Sequence, residues 1–119
     1  MKNILKLEEI ATLILTIFFY QSLNWAWYWY LVWFLVPDLG MLGYLINTKV
    51  GALTYNLAHH KGIAIGFGLI GYVLMNHTML FIGILLLGHA AFDRIFGYGL
   101  KYDDSFHHTH LGMIGKKGI

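Results

Sequence analysis

The sequence has no cysteine, one proline and few charged residues. The absence of cysteine excludes disulfide bonds and thiolate metal ligands. Charged residues make up 12% of the chain, about half of the share in a typical soluble domain, whereas hydrophobic residues make up 58%. The net charge of +2 is small and spread along the chain, so we expect no binding to nucleic acid. This composition is typical of an integral membrane protein.

Apolar sequence is abundant and forms four stretches of about 14 residues each, at positions 10–23, 25–37, 62–75 and 78–92. With their polar ends included, these segments reach about 20 residues or more, which is enough to cross a hydrocarbon layer of about 30 Å. The sequence therefore predicts an all-α fold, in which residues 1–100 form a four-helix transmembrane bundle with up-down-up-down topology. Residues 101–119 form a short polar tail.

The four predicted helices cover residues 5–22, 27–46, 51–75 and 78–96. Pro37 lies inside the second helix and is expected to kink it beside Asp38, because proline removes one backbone hydrogen bond. On the third helix, small residues at steps of four are expected to allow close packing against a neighbour. These small residues are Ala58, Gly62 and Gly66.

Lysine placement and aromatic residues predict how the bundle sits in a membrane. The lysines lie at one end of the bundle, and the two loops at the other end contain none, so the positive-inside rule places both termini in the cytoplasm. Tryptophan and tyrosine crowd the start of the second helix, as in an interfacial aromatic belt. The lysines that support this orientation are Lys2, Lys6, Lys49, Lys101, Lys116 and Lys117.

Ionisable side chains gather at similar depth, in the cytoplasmic half of the predicted bundle. His89 and Asp93 are four residues apart and share one face of a helix, His59 ends a polar run on the third helix, and Asp38 lies at the kink. Ionisable groups are costly inside a membrane, so a functional site is the default hypothesis. Imidazole and carboxylate ligands suit zinc, iron or manganese. We therefore predict metal ligands at Asp38, His59, His89 and Asp93, with Asp38 and Asp93 as the catalytic carboxylates.

Neighbouring polar residues have less specific expected roles. Asn56 and His60 share one side of the third helix and are expected to support the site. Lys61 and Arg94 are candidates for binding an anionic group or a lipid headgroup. The sequence also allows a purely structural alternative, in which Asp93 pairs with Lys61 or Arg94 and the histidines hydrogen-bond to other side chains. The tail histidines His107, His108 and His110 form either a solvated loop or a lid over the site.

Four segments, PDLGMLGY, YNLAHH, HAAFDRIFGYGLKY and THLG, together resemble a family of small bacterial membrane proteins known as domain-of-unknown-function family 4260. The resemblance covers about residues 5–113. It implies a four-helix protein of the bacterial inner membrane and no established activity. The positions that match the family pattern are Asp38, Asn56, His59, Asp93, Arg94, Tyr98, Lys101 and His110.

A looser likeness connects the chain with membrane-bound metal-dependent hydrolases. Pro37-Asp38, His59-His60 and the step from His89 to Asp93 follow the order of that group's motifs. The chain departs from the pattern at Gly40, where a second aspartate is expected.

Three classes of function fit these observations. The leading hypothesis is metal-dependent hydrolysis of a lipid-linked or amphipathic substrate, with a divalent metal as cofactor. The second is electron transfer by a haem held between histidines of neighbouring helices. The third is a small transporter or partner subunit without catalysis. The expected partners are membrane lipids. The sequence leaves open whether copies of the chain also associate with each other.

Overall fold

The structure is a computed structural model that describes residues 2–102 and 107–113. The described chain is mainly helical, which confirms the predicted all-α class. Its elements are α1 (Lys2–Gln21), α2 (Trp27–Trp33), a 3-10 helix (Val36–Leu45), α3 (Thr48–His59), α4 (Lys61–Val73) and α5 (His77–Ile95). After α5, the two-residue strands β1 (His108–Thr109) and β2 (Gly112–Met113) form a small antiparallel hairpin.

Helix α5 is the central element, because it packs against both α1 and α4. The α4–α5 contact is close at glycines. A Cβ atom on Gly83 would lie 2.3 Å from the backbone nitrogen of Gly68, and one on Gly71 would lie 2.4 Å from that of Leu80. Gly66 instead faces open space. Small residues therefore do bring the helices together, but the prediction of Gly66 as a packing position is wrong.

The continuous second helix predicted over residues 27–46 is wrong. Helix α2 ends at Trp33, and the chain continues as a 3-10 helix with Pro37 near its start. Proline has no amide hydrogen to continue an α-helix, and the amide of Asp38 donates instead to the Leu35 carbonyl at 3.0 Å. The interruption expected at Pro37 is therefore present, and it changes the type of helix. This 3-10 helix packs against α3 and carries Asp38.

The third predicted helix, over residues 51–75, is also divided. His60 has an extended backbone, with φ −83° and ψ 120°, and its ring Nδ1 accepts a hydrogen bond from the Ile63 amide at 3.2 Å. The side chain therefore satisfies an amide at the start of α4 that a new helix would otherwise leave without a partner. As a result, His59 is the last residue of α3 and Lys61 the first of α4.

In the part of the chain that the structure describes, α5 is long and apolar enough to cross a membrane, and α4 is apolar but shorter. Length and composition of one helix are a weak indication of membrane association. The four-span bundle predicted from the sequence is not confirmed, because two of its helices are divided into shorter ones.

An aromatic core fills the space between α1, α2 and α5. Its buried members are Tyr20, Leu23, Tyr30, Phe81, Ile84 and Leu85. The hydroxyl groups of Tyr30 and Thr16 are hydrogen-bonded at 2.8 Å, and a Cβ atom on Gly88 would lie 2.0 Å from the Tyr30 oxygen. Glycine at position 88 therefore lets Tyr30 approach α5 closely, one residue before His89.

A candidate metal centre

Three elements each bring ionisable side chains to one point. Asp38 comes from the 3-10 helix, His59 from the end of α3, and His89 and Asp93 from successive turns of α5. One ligand atom from each of the four side chains lies within 4.8 Å of the others. The convergence predicted from the sequence is therefore confirmed for all four residues.

Each imidazole in this cluster faces both carboxylates. The Nε2 atom of His59 lies 3.4 Å from Asp38 Oδ1 and 3.1 Å from Asp93 Oδ2. The Nε2 atom of His89 lies 3.0 Å from Asp38 Oδ1 and 3.4 Å from Asp93 Oδ2. Each of the two nitrogens thus lies close to both oxygens, and the four atoms form one compact group.

Backbone carbonyls determine the tautomer of both histidines. The Nδ1 atom of His59 lies 2.9 Å from the Tyr55 carbonyl oxygen, and that of His89 lies 2.6 Å from the Phe34 carbonyl oxygen. A carbonyl oxygen only accepts, so we assign the proton to Nδ1 in each ring. A neutral imidazole then presents the lone pair of Nε2 to the carboxylates. Lone pairs beside carboxylate oxygens repel, so the cluster needs a cation, either protons on both Nε2 atoms or a metal ion.

The distances fit ligand atoms that share one metal ion. With metal–ligand bonds of 2.0–2.1 Å, neighbouring ligand atoms lie about 3 Å apart, and the four nitrogen–oxygen distances here are 3.0–3.4 Å, with all four atoms within 4.8 Å of one another. The His59 Nε2 atom is also buried and has no hydrogen-bond partner within the described residues. At 3.1 Å from Asp93 Oδ2, this nitrogen could bind a metal ion through its lone pair or, when protonated, donate to the carboxylate.

Burial within the cluster is uneven. The side chains of His89 and His59 are 1% and 4% exposed, and that of Asp93 is 16% exposed. The side chain of Asp38 is 40% exposed. Three of the four side chains are therefore largely buried, and the cluster is accessible to solvent at Asp38.

Two further residues contact the cluster, and the sequence analysis did not assign them to it. Phe34 contributes its carbonyl oxygen to His89, and a backbone carbonyl leaves no side-chain signal in the sequence. Tyr55 lies one turn before His59, stacks on its ring and donates its hydroxyl hydrogen to Asp93 Oδ2 at 3.3 Å. The four-residue spacing from Tyr55 to His59 is the signal that could have identified it.

Asn56 and His60 were predicted to support the site, but their hydrogen bonds described here are to other parts of the chain. The amide of Asn56 forms a two-way hydrogen bond with the Lys101 backbone, donating to its carbonyl at 2.8 Å and accepting from its nitrogen at 2.6 Å. It therefore joins α3 to the chain that follows α5. His60 is exposed and caps α4.

The two cations predicted to bind an anion are close in sequence to cluster residues, Lys61 two positions after His59 and Arg94 directly after Asp93. Lys61 is paired with Glu9 Oε1 of α1, so its ammonium group does not pair with Asp93. Arg94 is half-buried next to Asp93 on α5. The carboxylate of Asp93 instead faces the two imidazoles.

The segment after α5 folds back on the helices. Lys101 forms an isolated bridge with Thr109, the His110 amide donates to the Leu100 carbonyl, and His110 Nδ1 accepts from the Leu100 amide. Burial lowers the pKa of His110. His107 is exposed, and the side chain of His108 lies outside the described residues, as do the tail positions 103–106 and 114–119.

A separate apolar groove of about 470 Å³ is lined by Trp25, Ala26, Trp29, Trp33 and Phe81. None of these side chains is ionisable. The groove therefore has no group that could carry out acid–base or metal chemistry.

Comparison with known protein families gives a match over nearly the whole chain. The profile of a family described as a domain of unknown function (DUF4260) matches residues 2–114. No curated protein and no solved structure shows a significant match to the chain.

Proposed function

The chain belongs to the DUF4260 family, whose description assigns no activity, and we propose that it is a metal-dependent hydrolase. The observation that carries this proposal is the set of two histidine nitrogens and two carboxylate oxygens, with nitrogen–oxygen distances of 3.0–3.4 Å and all four atoms within 4.8 Å of one another. The donor set, two imidazoles and two carboxylates without sulfur, suits zinc best and also admits iron or manganese.

The ligands have distinct roles in this proposal. His59 and His89 hold the metal through Nε2, because their Nδ1 atoms are engaged with backbone carbonyls. Such bonds fix the ring orientation of metal-binding histidines. Asp93 supplies a largely buried carboxylate from the same helix face as His89.

Hydrolysis is favoured because the centre is open at Asp38. Structural zinc sites are closed by four protein ligands, whereas catalytic sites keep one position accessible. A metal ion held there would supply Lewis acidity, which lowers the pKa of water and polarises the bond to be cleaved. Asp38, whose side chain is 40% exposed, would be the exchangeable fourth ligand, because its release would open one coordination position and free its carboxylate to accept a proton from water.

An anionic substrate group fits beside the centre. Arg94 follows Asp93 on α5 and is half-buried, and Lys61 begins α4 with its side chain paired to Glu9. Guanidinium groups bind phosphate and carboxylate oxygens in pairs. We assign Arg94, with Lys61 nearby, to an anionic group or a lipid headgroup of the substrate.

A membrane location is supported by the surface of the molecule. Large hydrophobic side chains are exposed along α1, α2 and the 3-10 helix, among them Phe18, Trp27, Leu31 and Leu45. Soluble monomers rarely expose contiguous apolar surface on this scale. We therefore propose a multipass protein of the bacterial inner membrane, with residues 1–100 in the membrane region, both termini cytoplasmic, and a lipid-linked or amphipathic substrate.

The haem alternative has less support. The ring centroids of His59 and His89 are only 4.9 Å apart, and the carboxylates occupy the space in front of both Nε2 atoms. A macrocycle between the rings would have to displace these carboxylates.

Elemental analysis of the detergent-purified chain tests the proposal. We expect about one zinc ion per chain and no visible absorption band. His89→Ala should lose the metal, whereas the matched control His77→Ala, an exposed histidine at the start of α5, should retain it. If the wild type binds no metal after incubation with zinc, iron or manganese, the cluster is an ionic network, as in a transporter or partner subunit. A strong visible absorption band would instead indicate haem.

A further inference from the structure

Tyr55 touches two of the four proposed metal ligands. Its ring is stacked on that of His59, with centroids 3.9 Å apart and planes 8° from parallel. Its hydroxyl group donates to Asp93 Oδ2 at 3.3 Å. Its carbonyl oxygen accepts the Nδ1 hydrogen of His59 at 2.9 Å. The residue is 3% exposed, so these contacts are shielded from solvent.

These contacts restrict the ligands in complementary ways. The stacked ring limits tilting of the His59 imidazole, and the carbonyl limits its rotation and selects the tautomer. The hydroxyl group fixes which Asp93 oxygen faces the cluster. A hydrogen bond to a carboxylate favours its charged form, which is the form that binds metal.

The segment after α5 holds Tyr55 in place from the other side. The Lys101 ammonium group lies 4.7 Å from the centroid of the Tyr55 ring, within the range of a cation–π contact. The Lys101 backbone is fixed by Asn56, the next residue of α3. The Tyr55 ring is therefore enclosed between the His59 imidazole and the Lys101 side chain.

We propose that Tyr55 is a positioning residue of the metal centre, which orients His59 and Asp93 together and is itself held by the docked Lys101 segment. This inference rests on the metal site proposed above. Tyr55 is not a metal ligand and does not touch the reacting atoms. It acts through His59 and Asp93.

The test is metal affinity in Tyr55→Phe, measured by competition with a chromogenic zinc chelator on the detergent-purified full chain. The variant keeps the stacked ring and the carbonyl and removes the bond to Asp93. We expect the dissociation constant for zinc to rise about tenfold, as for other residues that hold metal ligands in place. The control is Tyr20→Phe, which removes another buried tyrosine hydroxyl, one that donates to the Ala26 carbonyl, and which should leave zinc affinity unchanged.

A spectroscopic measurement separates positioning from general stability. In the cobalt-substituted protein, Tyr55→Phe should shift the ligand-field bands because the Asp93 oxygen moves, whereas Tyr20→Phe should leave the bands in place. Wild-type affinity and an unchanged cobalt spectrum in Tyr55→Phe would refute the positioning role while leaving the metal site intact. Absence of zinc from the wild type would overturn the proposed function itself, so the two failures are distinguishable.

Discussion

Asp38 and Asp93 face the same two imidazoles but differ in their surroundings. Asp93 is largely buried and accepts a hydrogen bond from Tyr55, whereas Asp38 reaches the surface. Burial makes a charge dependent on its partners, because water cannot replace them. The two carboxylates should therefore respond differently when their charges are removed.

We expect Asp93→Asn to lose bound zinc and Asp38→Asn to keep most of it. Removing one member of a buried charge pair costs about 3 to 5 kcal/mol, so Asp93→Asn should also lower the stability of the metal-free protein. If Asp38 is the general base, Asp38→Asn should reduce hydrolysis of an alkyl p-nitrophenyl phosphodiester about 100-fold or more. Metal content and reaction rate are the two measurements.

Glu8→Gln is the control for these variants, because Glu8 is an exposed carboxylate of α1, and it should behave as the wild type. Equal loss of zinc from Asp38→Asn and Asp93→Asn would show that the site is closed by four obligatory ligands and is structural.

The four residues of the cluster could be predicted from the sequence because each lies where an apolar stretch meets polar residues. The groups that hold them could not be predicted. The Phe34 and Tyr55 carbonyls are backbone atoms, and their contacts depend on how α2 and α3 approach α5. Side-chain patterns carry no information about such contacts.

At the scale of helices, the sequence predicted the ends of α1 and α5 to within a few residues but not the interruptions in the middle of the chain. Apolar periodicity continues through residues 27–46 and 51–75, whereas the backbone changes at Pro37 and His60. A histidine that caps a helix with its ring nitrogen has no distinctive sequence pattern. These interruptions place Asp38 on a 3-10 helix and His59 at a helix end, where both can face α5.

The close α4–α5 contact leads to a prediction about two glycines. Gly83→Ala should destabilise the protein by about 1 to 3 kcal/mol, because the new methyl group would meet the backbone of Gly68 and force the helices apart. Gly66→Ala should stabilise it by about 0.5 to 1 kcal/mol, since position 66 faces open space and alanine favours a helix. Thermal unfolding in detergent measures both, and equal effects of the two variants would contradict the packing described here.

At the scale of the whole molecule, the segment after α5 joins α3 and α5 into one unit. Burial lowers the pKa of Lys101 from 10.5 to about 8, and the charge of Asp93 opposes this shift only in part. The lysine is thus easier to deprotonate in the folded protein than in the unfolded chain. Between pH 8 and 10.5 the unfolded chain binds more protons, so folding is favoured as pH rises.

We therefore expect the stability of the metal-free protein to increase through this pH window. Lys101→Met, which has no charge to lose, should lack this component of the increase. Each unit of pKa lowering corresponds to about 1.4 kcal/mol between the protonation states. Melting temperatures of both proteins from pH 7 to 10.5, in the presence of chelator, give the comparison. A parallel pH dependence in the two proteins would show that Lys101 does not titrate in this range.

The membrane arrangement was the least predictable property at this scale. Hydropathy indicated four crossings, but segment length and composition do not reveal that an extended His60 divides one of them or that a 3-10 helix replaces half of another. The family match covers nearly the whole chain and supplies no topology.

The turn between α4 and α5, at residues 74–76, divides the proposed metal ligands evenly. Asp38 and His59 precede the turn, and His89 and Asp93 follow it, so each portion of the chain carries one imidazole and one carboxylate. Neither portion alone can chelate an ion with four ligands. Two separately expressed fragments, cut at this turn, would consequently recombine more tightly in the presence of zinc than without it. The metal would then serve as a reversible cross-link between the two fragments.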